Sequence, residues 1–167
     1  MPACSGSPYT LTAQLDFVQD REVVLEATCD TFACVVIDGN SNSRIAYVGY
    51  DADVVFRNLK LTNGDDSAGG GILSEQGLVT LDSCEVSNCD SSGSGGGICS
   101  HGGTLVMRNS TVVGNTASSS GGGIFAEWKG FKVDGVNNRF QPQLTYLYSA
   151  RPTSYAPVPS PPYVHKY

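Results

Sequence analysis

The chain has 167 residues, of which 40% are hydrophobic, and a formal net charge of −6 at pH 7. This length predicts one domain, and the apolar fraction is sufficient for a narrow core. The negative charge argues against binding to nucleic acid or anionic lipid. No apolar run is long enough to span a membrane, and the N-terminus lacks the basic start and apolar stretch of a signal peptide.

The N-terminal segment, 1–48, contains short β-like stretches separated by turn residues. Apolar positions alternate or cluster in them, and Asp38-Gly39 follows one stretch as a tight turn. These stretches predict one or two irregular coils, since the terminal units of repeat proteins are often atypical. The predicted strands are 9–15, 23–25, 35–37 and 45–48.

Three glycine triplets follow at one constant spacing, and each is followed at once by isoleucine. The triplets are 69–71, 95–97 and 121–123. A fixed repeat of this size is typical of a chain built by stacking one small unit on copies of itself. Glycine allows positive φ and close backbone approach, so we expect each triplet to form a tight corner of one unit.

Apolar residues around the triplets recur at a spacing of two, which is the period of a β-strand. Because the offset between units is nearly constant, the pattern favours parallel stacking over antiparallel hairpins. We therefore predict an all-β parallel β-helix of four to five coils of about 26 residues, with three strands per coil. Its interior columns are Val54, Val79 and Leu105; Phe56, Leu81 and Met107; and Ile72, Ile98 and Ile124.

A four-residue segment precedes each GGGI motif. The combination resembles the GG[AI] and FxxN repeats of polymorphic outer-membrane proteins, which are adhesins, and of related pectin-lyase-like surface proteins. The resemblance covers residues 9–128 and implies a right-handed parallel β-helix at the cell surface or outside the cell. The segments read Leu61-Thr62-Asn63-Gly64, Val86-Ser87-Asn88-Cys89 and Val112-Val113-Gly114-Asn115, with none keeping the phenylalanine.

Residues 129–167 have a different composition. They contain six of the eight prolines, and their net charge is +4, whereas residues 1–127 carry −10. Proline cannot donate to a strand ladder, so this segment is not expected to continue the interior of the stack. We predict a β-helix domain over 1–128, regular over 54–128, and an irregular Pro/Tyr-rich basic tail over 129–167.

Six cysteines indicate an oxidising compartment. Two pairs have the same i,i+5 spacing, Cys29 with Cys34 and Cys84 with Cys89, so each is a disulfide candidate at a coil corner. Free buried thiols in a cytosolic protein are the alternative. The missing signal peptide is reconciled with an extracellular location if the chain is a fragment of a larger secreted protein.

Carboxylates and a histidine are the candidate groups for enzymatic chemistry. Asp65, Asp66 and His101 superficially resemble the Asp-Asp and Gly-His-Gly motifs of polygalacturonases, but the spacing and flanking residues differ. Asp65, Asp66 and Asp90 fit turn chemistry better. A calcium ion held by these three aspartates between adjacent coils is the alternative; no other metal or cofactor is expected.

The sequence favours a non-catalytic extracellular or cell-surface scaffold, with polysaccharide or cell-wall components as partners. The outward positions Val55, Thr80 and Val106 are plain β-formers, which favours this class over the alternative, a polysaccharide lyase or hydrolase of the pectin-lyase-like fold. Uncapped coils predict end-to-end self-association. Asn109, in the sequon Asn109-Ser110-Thr111, is the glycosylation candidate.

Overall fold

The computed structural model describes residues 8–18, 22–28 and 35–127, together with the backbone of 131–133 and 139–140. These residues form an all-β parallel solenoid of about four turns. Its strands, in chain order, are β1 (Tyr9–Thr10), β2 (Leu15–Phe17), β3 (Glu22–Glu26), β4 (Val35–Asp38), β5 (Ala46–Val48), β6 (Asp53–Arg57), β7 (Leu59–Thr62), β8 (Asp65–Asp66), β9 (Ile72–Glu75), β10 (Leu78–Asp82), β11 (Glu85–Ser87), β12 (Asp90–Ser91), β13 (Ile98–His101), β14 (Thr104–Arg108), β15 (Thr111–Val113), β16 (Thr116–Ala117), β17 (Ile124–Glu127), β18 (Phe131–Val133) and β19 (Arg139–Phe140).

Each regular coil contributes one strand to each of four parallel sheets, which are numbered here in their order along a coil. The predicted three strands per coil is therefore corrected to four, because the additional strand is very short and resembles a turn in the sequence. The first sheet is β1-β4-β7-β11-β15-β19, the second β8-β12-β16, the third β2-β5-β9-β13-β17 and the fourth β3-β6-β10-β14-β18.

The predicted interior columns are confirmed. Cα pairing places Val54, Val79 and Leu105 in one register, and Phe56, Leu81 and Met107 in a second register on the same strands. The three isoleucines stack in the third sheet, and none of these nine side chains is more than 1% exposed. Burying one such side chain contributes about 1.5–3 kcal/mol, so these columns supply much of the stabilisation.

Left-handed residues mark all four corners of a regular coil. Asn58, Ser83 and Asn109 occupy one corner with φ of 57°, 56° and 48°. This conformation is disfavoured for most L-residues, and asparagine and glycine tolerate it best. The glycine triplets supply another corner, as predicted, and the two remaining corners have Asn63, Asn88 and Gly114, and Asp51, Gln76 and Gly102.

The glycine triplet has a second requirement besides its corner. The first glycine, such as Gly95, has a positive φ of 69°. The second glycine, such as Gly96, lies so close to the carbonyl oxygens of Thr116 and Gly122 in the next coil that a Cβ atom would collide with them. The triplet therefore serves both the bend of one coil and its contact with the next.

A polar interior position is satisfied by hydrogen bonds between coils. Asn115 ends the last FxxN-like segment and is buried. Its Oδ1 accepts from the backbone N–H of Cys89 at 2.8 Å, and its Nδ2 donates to the carbonyl of Val86 at 3.0 Å. Since a buried amide without partners would be destabilising, these bonds account for an asparagine in an otherwise apolar corner.

One change in the spacing between coils arises in the loop before the glycine corner. The step along the chain from Asp65 to its partner Asp90 in the second sheet is shorter by one position than the step from Ile72 to Ile98 in the third sheet. The additional residue lies in the loop between β12 and β13. The sheets on either side keep their register.

The stack extends beyond the boundary that the sequence predicted at residue 128. Strand β18 pairs with β14, and β19 pairs with β15. Residues 131–133 and 139–140 contain no proline, so each can donate to the ladders that it joins. The rest of the predicted tail, 129–167, lies outside the described residues.

Candidate functional site

The outer face of the third sheet carries the greatest variety of reactive and polar side chains. Side chains alternate between the interior and exterior of each strand, so Ile98 and Ser100 of β13 point inward while Cys99 and His101 point outward. Parallel pairing then stacks Cys99 between Leu73 and Phe125, and His101 between Glu75 and Glu127. The Cα pairing of the parallel strands therefore determines which side chains are neighbours on the outer face.

Cys99, His101 and Glu127 form a hydrogen-bonded row. The Cys99 Sγ lies 3.2 Å from His101 Nε2, and His101 Nδ1 lies 3.0 Å from Glu127 Oε2. When the imidazole is neutral, its Nδ1 proton is donated to Glu127, so Nε2 accepts the Cys99 S–H. The His101 ring also packs edge-on against Phe125 at a centroid distance of 5.9 Å.

The electrostatics of this row keep Cys99 a thiol. Burial, followed by the negative charge of Glu127, raises the pKa of Cys99 to about 12. Cys99 is fully enclosed, whereas the His101 and Glu127 side chains are 38% and 43% exposed. The imidazole and the carboxylate therefore form the solvent side of the row.

Two tyrosines lie near the N-terminal end of this wall, Tyr47 on the outer side of β5 and Tyr50 in the turn that follows it. The Tyr47 hydroxyl donates to Glu75 Oε2 at 2.8 Å, and Gln76 Nε2 donates to the Tyr50 hydroxyl oxygen. Between the tyrosines, Gly49 has no side chain, and a Cβ atom there would lie 3.3 Å from the Tyr47 ring. We call Tyr47, Gly49, Tyr50, Glu75 and Gln76 the tyrosine patch.

The tyrosine patch combines exposed aromatic surface with fixed polar groups. Tyr50 is 60% exposed. The hydrogen bond to Glu75, with a smaller contribution from burial, raises the pKa of the Tyr47 hydroxyl, so this group stays protonated as a donor. An aromatic face beside fixed amide and carboxylate groups can stack on a sugar ring and bind its hydroxyls.

The structure does not bring the candidate catalytic residues together. Asp65 and Asp66 form β8 in the second sheet, whereas His101 lies in the third sheet beside Glu127. Asp66 pairs with the buried Arg44 at 2.9 Å and accepts from the backbone N–H of Ser67. These bonds give Asp66 a structural role at the start of the loop before the glycine corner.

The aspartates proposed as calcium ligands also differ in their surroundings. Asp65 and Asp90 are Cα partners on adjacent coils, but Asp66 engages Arg44. Asp90 accepts hydrogen bonds from Thr116 Oγ1 and from the N–H of Ser91. Over the residues that the structure describes, no three His, Cys, Asp or Glu side chains are grouped so as to hold a metal ion.

The cysteine pair Cys84 and Cys89 does not form a disulfide. Both are buried free thiols facing the interior, as is evident from their exposed fractions of 0% and 1%. Cys84 Sγ donates to the carbonyl of Phe56 at 3.2 Å, and Cys89 Sγ donates to that of Ser87 at 3.4 Å. The two thiols therefore lie at separate corners, although their spacing in the sequence suggested a pair. Cys29 and Cys34 lie outside the described residues.

The outer face of the fourth sheet is chemically different. Val24, Val55, Thr80 and Val106 form its central column, as the sequence predicted for the last three. Beside them runs a charged ladder of Glu26, Arg57, Asp82 and Arg108, in which Arg57 lies 3.4 Å from both carboxylates. Balanced charges and β-branched side chains make this wall a stable but chemically plain surface.

The glycosylation candidate Asn109 is exposed at a left-handed corner. Its side chain is therefore on the surface, and modification stays a prediction. The tyrosine patch and the Cys99 row were missed by sequence reasoning. The available signal was the alternation Cys99-Ser100-His101, which places a thiol and an imidazole on one face once β13 is recognised as a strand.

Comparison with known proteins gives no relative for this chain: no family model, curated protein or solved structure matches it. The structure supports a β-solenoid repeat without assigning it to a family of such proteins. In the described part of the chain, no helix is long and apolar enough to cross a membrane.

Proposed function

We propose that this protein is a non-catalytic, extracellular or cell-surface β-helix that binds a polysaccharide through the tyrosine patch. The observation that carries the proposal is the placement of Tyr47 and Tyr50 on either side of Gly49, with Glu75 and Gln76 hydrogen-bonded to them. The rigid stack holds these groups with little conformational freedom, which favours binding because less entropy is lost.

The charge of the coils favours a neutral glycan over a polyuronate. Residues 1–127 contain five basic and fifteen acidic residues, and Glu75 belongs to the patch itself. A pectate or alginate chain would be repelled by this field, whereas an uncharged chain would not. The proposed partner is therefore a neutral cell-wall or surface polysaccharide.

The resemblance to pectin-lyase-like surface repeats supports a scaffold at the cell surface, and end-to-end association of coils stays a prediction. The alternative, a polysaccharide lyase or hydrolase, requires convergent acid and base groups. Among the described residues, Asp65 and Asp66 are in a different sheet from His101, so no observation favours that alternative.

The test is co-sedimentation of the full chain with insoluble cellulose and xylan, and with calcium-gelled pectin and alginate. We expect binding to at least one neutral polymer and little to the uronates. Tyr50→Ala should weaken binding about tenfold or more, since the buried area of one aromatic ring and its stacking contact together contribute roughly 1–3 kcal/mol.

Tyr9→Ala is the matched control, because Tyr9 is also an exposed tyrosine, at 52%, but lies on the first sheet. Equal loss of binding in both variants would overturn the assignment to the patch. Release of soluble sugar products would contradict the non-catalytic function itself.

A further inference from the structure

We propose that Cys99 is a base-assisted nucleophile that accepts an acyl group from a neutral ester or thioester. In this proposal His101 removes the thiol proton, and Glu127 is a positioning residue that orients the imidazole. The inference is tested separately from polysaccharide binding, because Cys99, His101 and Glu127 are not part of the tyrosine patch.

The geometry is that of a nucleophile, a base and an orienting group. Cys99 Sγ and His101 Nε2 are 3.2 Å apart, and Glu127 holds the opposite ring nitrogen at 3.0 Å. Such a chain of contacts is the structural signature of an activated nucleophile. The register enforces it, since Cys99 and His101 share one face of β13 and Glu127 is the Cα partner of His101 in the next coil.

The other two described thiols provide the contrast. Cys84 donates to the carbonyls of Phe56 and Asp82, and Cys89 to that of Ser87. These carbonyls cannot take up a proton, so neither thiol has a base. All three thiols are buried, so the imidazole next to Cys99 is the difference between them.

The surroundings of Cys99 define the class of acyl donor. Leu73 and Phe125 pack against it as an apolar cluster, so an acyl group on the sulfur would lie among apolar side chains. Glu75 and Glu127 both act to raise the thiol pKa, and the same negative charge disfavours an anionic donor. Cys99 itself is fully buried, so the donor reaches the sulfur only when the partly exposed His101 side chain moves aside.

The reaction balances without a redox partner. As the Cys99 sulfur attacks the acyl carbonyl carbon, its proton passes to His101 Nε2. The new S–C bond forms, the bond from the carbonyl carbon to the leaving oxygen or sulfur breaks, and the imidazolium returns the proton to the leaving group. The high pKa of the thiol fits this route, because a thiol that is protonated at neutral pH needs a base in the attacking step.

The experiment treats the folded full chain with p-nitrophenyl acetate at pH 7.5 and follows acetylation of each cysteine by peptide mass mapping. We expect acetyl to accumulate on Cys99 well before Cys84 and Cys89. His101→Ala should slow acetylation of Cys99 about 100-fold, as is typical for loss of a general base. Glu127→Gln should slow it less, since the amide oxygen can still accept from Nδ1.

The pH dependence of Cys99 acetylation shows whether His101 acts as a base or only as a structural contact. In the His101→Ala protein, acetylation of Cys99 should rise tenfold per pH unit because only the thiolate reacts, whereas the wild-type rate should depend less steeply on pH. Glu22→Gln removes an exposed carboxylate of the fourth sheet and should leave the rate unchanged.

Thermal melting of each variant checks that the fold is intact, and His101→Gln provides a second variant that keeps a polar side chain. The proposal is overturned if Cys99 is acetylated no faster than Cys84 and Cys89. It is also overturned if folded His101→Ala and His101→Gln proteins keep the wild-type rate and pH profile.

Discussion

The inner and outer faces of the same strands follow different rules. Along β10, Val79 and Leu81 are fully buried and stack on matching apolar residues in every regular coil, while Thr80 between them faces outward. The inner positions of the fourth sheet vary only in apolar type, whereas the outer positions of the third and fourth sheets include valine, arginine, histidine and cysteine. The difference shows that the interior defines the fold and leaves each outer wall free to differ.

The two large outer walls illustrate this freedom. The fourth sheet presents valines and a balanced charge ladder, and the third sheet presents tyrosines, carboxylates, a histidine and a thiol. Both are built on the same strand spacing. The reactive and polar side chains are therefore concentrated on the outer face of the third sheet, although both sheets have the same strand spacing.

The most disruptive change should be one that prevents the coils from stacking. Gly96→Ala places a Cβ atom against the carbonyl oxygens of Thr116 and Gly122, which belong to the backbone and cannot rotate away. We expect a loss of more than about 4 kcal/mol in the free energy of unfolding, or no cooperative transition at all. Urea unfolding followed by circular dichroism measures it.

Gly102→Ala is the matched control for this change. Gly102 has a φ of 80°, and a Cβ atom there would meet only the side chain of Gln76. The left-handed conformation should cost about 1–2 kcal/mol. If Gly96→Ala were no more destabilising than Gly102→Ala, close backbone approach would not be the reason for the triplet.

The next largest loss of stability is expected from one of two substitutions at neighbouring residues of β10. Leu81→Ala leaves a cavity in the interior and should destabilise the protein by about 2–5 kcal/mol. Thr80→Ala changes only the outer wall and should stay within about 0.5 kcal/mol. Equal effects in urea unfolding would contradict the distinction between the two faces.

Interior thiols predict a loss of stability at alkaline pH. Burial raises the pKa of Cys84 to about 11 and that of Cys89 to about 12, above the ordinary value of 9.0 expected in the unfolded chain. Because the folded state favours the neutral thiol, this stabilisation is complete below pH 9 and is lost as the pH rises through 9 towards 11–12.

Each thiol should contribute a slope of up to about 1.4 kcal/mol per pH unit above pH 9. Urea unfolding at pH 8, 9 and 10 measures the slope, and Cys89→Ala should have a shallower one because it has one buried thiol fewer. An unchanged slope in that variant would show that Cys89 does not titrate on unfolding.

The smallest effect is expected from the charge ladder on the fourth sheet. Arg57→Ala removes two contacts of 3.4 Å, with Glu26 and Asp82, but the Arg57 side chain is 39% exposed. Pairs of this kind contribute about 0–1 kcal/mol and weaken with salt. The difference between wild type and Arg57→Ala should therefore shrink between low salt and molar sodium chloride; a constant difference would indicate lost packing instead.

The interior was predictable from the sequence because each inner column repeats at nearly constant spacing. Ile72, Ile98 and Ile124 follow glycine triplets, so both their strand and their direction could be inferred. The left-handed conformation at the corner of Asn58, Ser83 and Asn109 was not predicted, since several residue types tolerate it and serine replaces asparagine in the middle coil.

The outer face could not be predicted from the repeat, because function there comes from residues that break it. His101 occupies the column of Glu75 and Glu127, and Cys99 the column of Leu73 and Phe125. When the coils are aligned to find the repeat, such positions only weaken the pattern, so the alignment does not mark them as functional. The offset between Ile98 and Ile124 already places Glu127 beside His101, but the contact of 3.0 Å between their side chains is seen only in the structure.

The additional residue between β12 and β13 has a practical consequence. The first and third sheets keep their register across a loop that is longer by one position than its counterpart between β8 and β9. The loop thus tolerates a change of one residue in length while the sheets on either side keep their register. A peptide inserted next to Gly93 should be displayed at the surface if the Gly93 carbonyl still accepts the hydrogen bond from the Ser119 N–H.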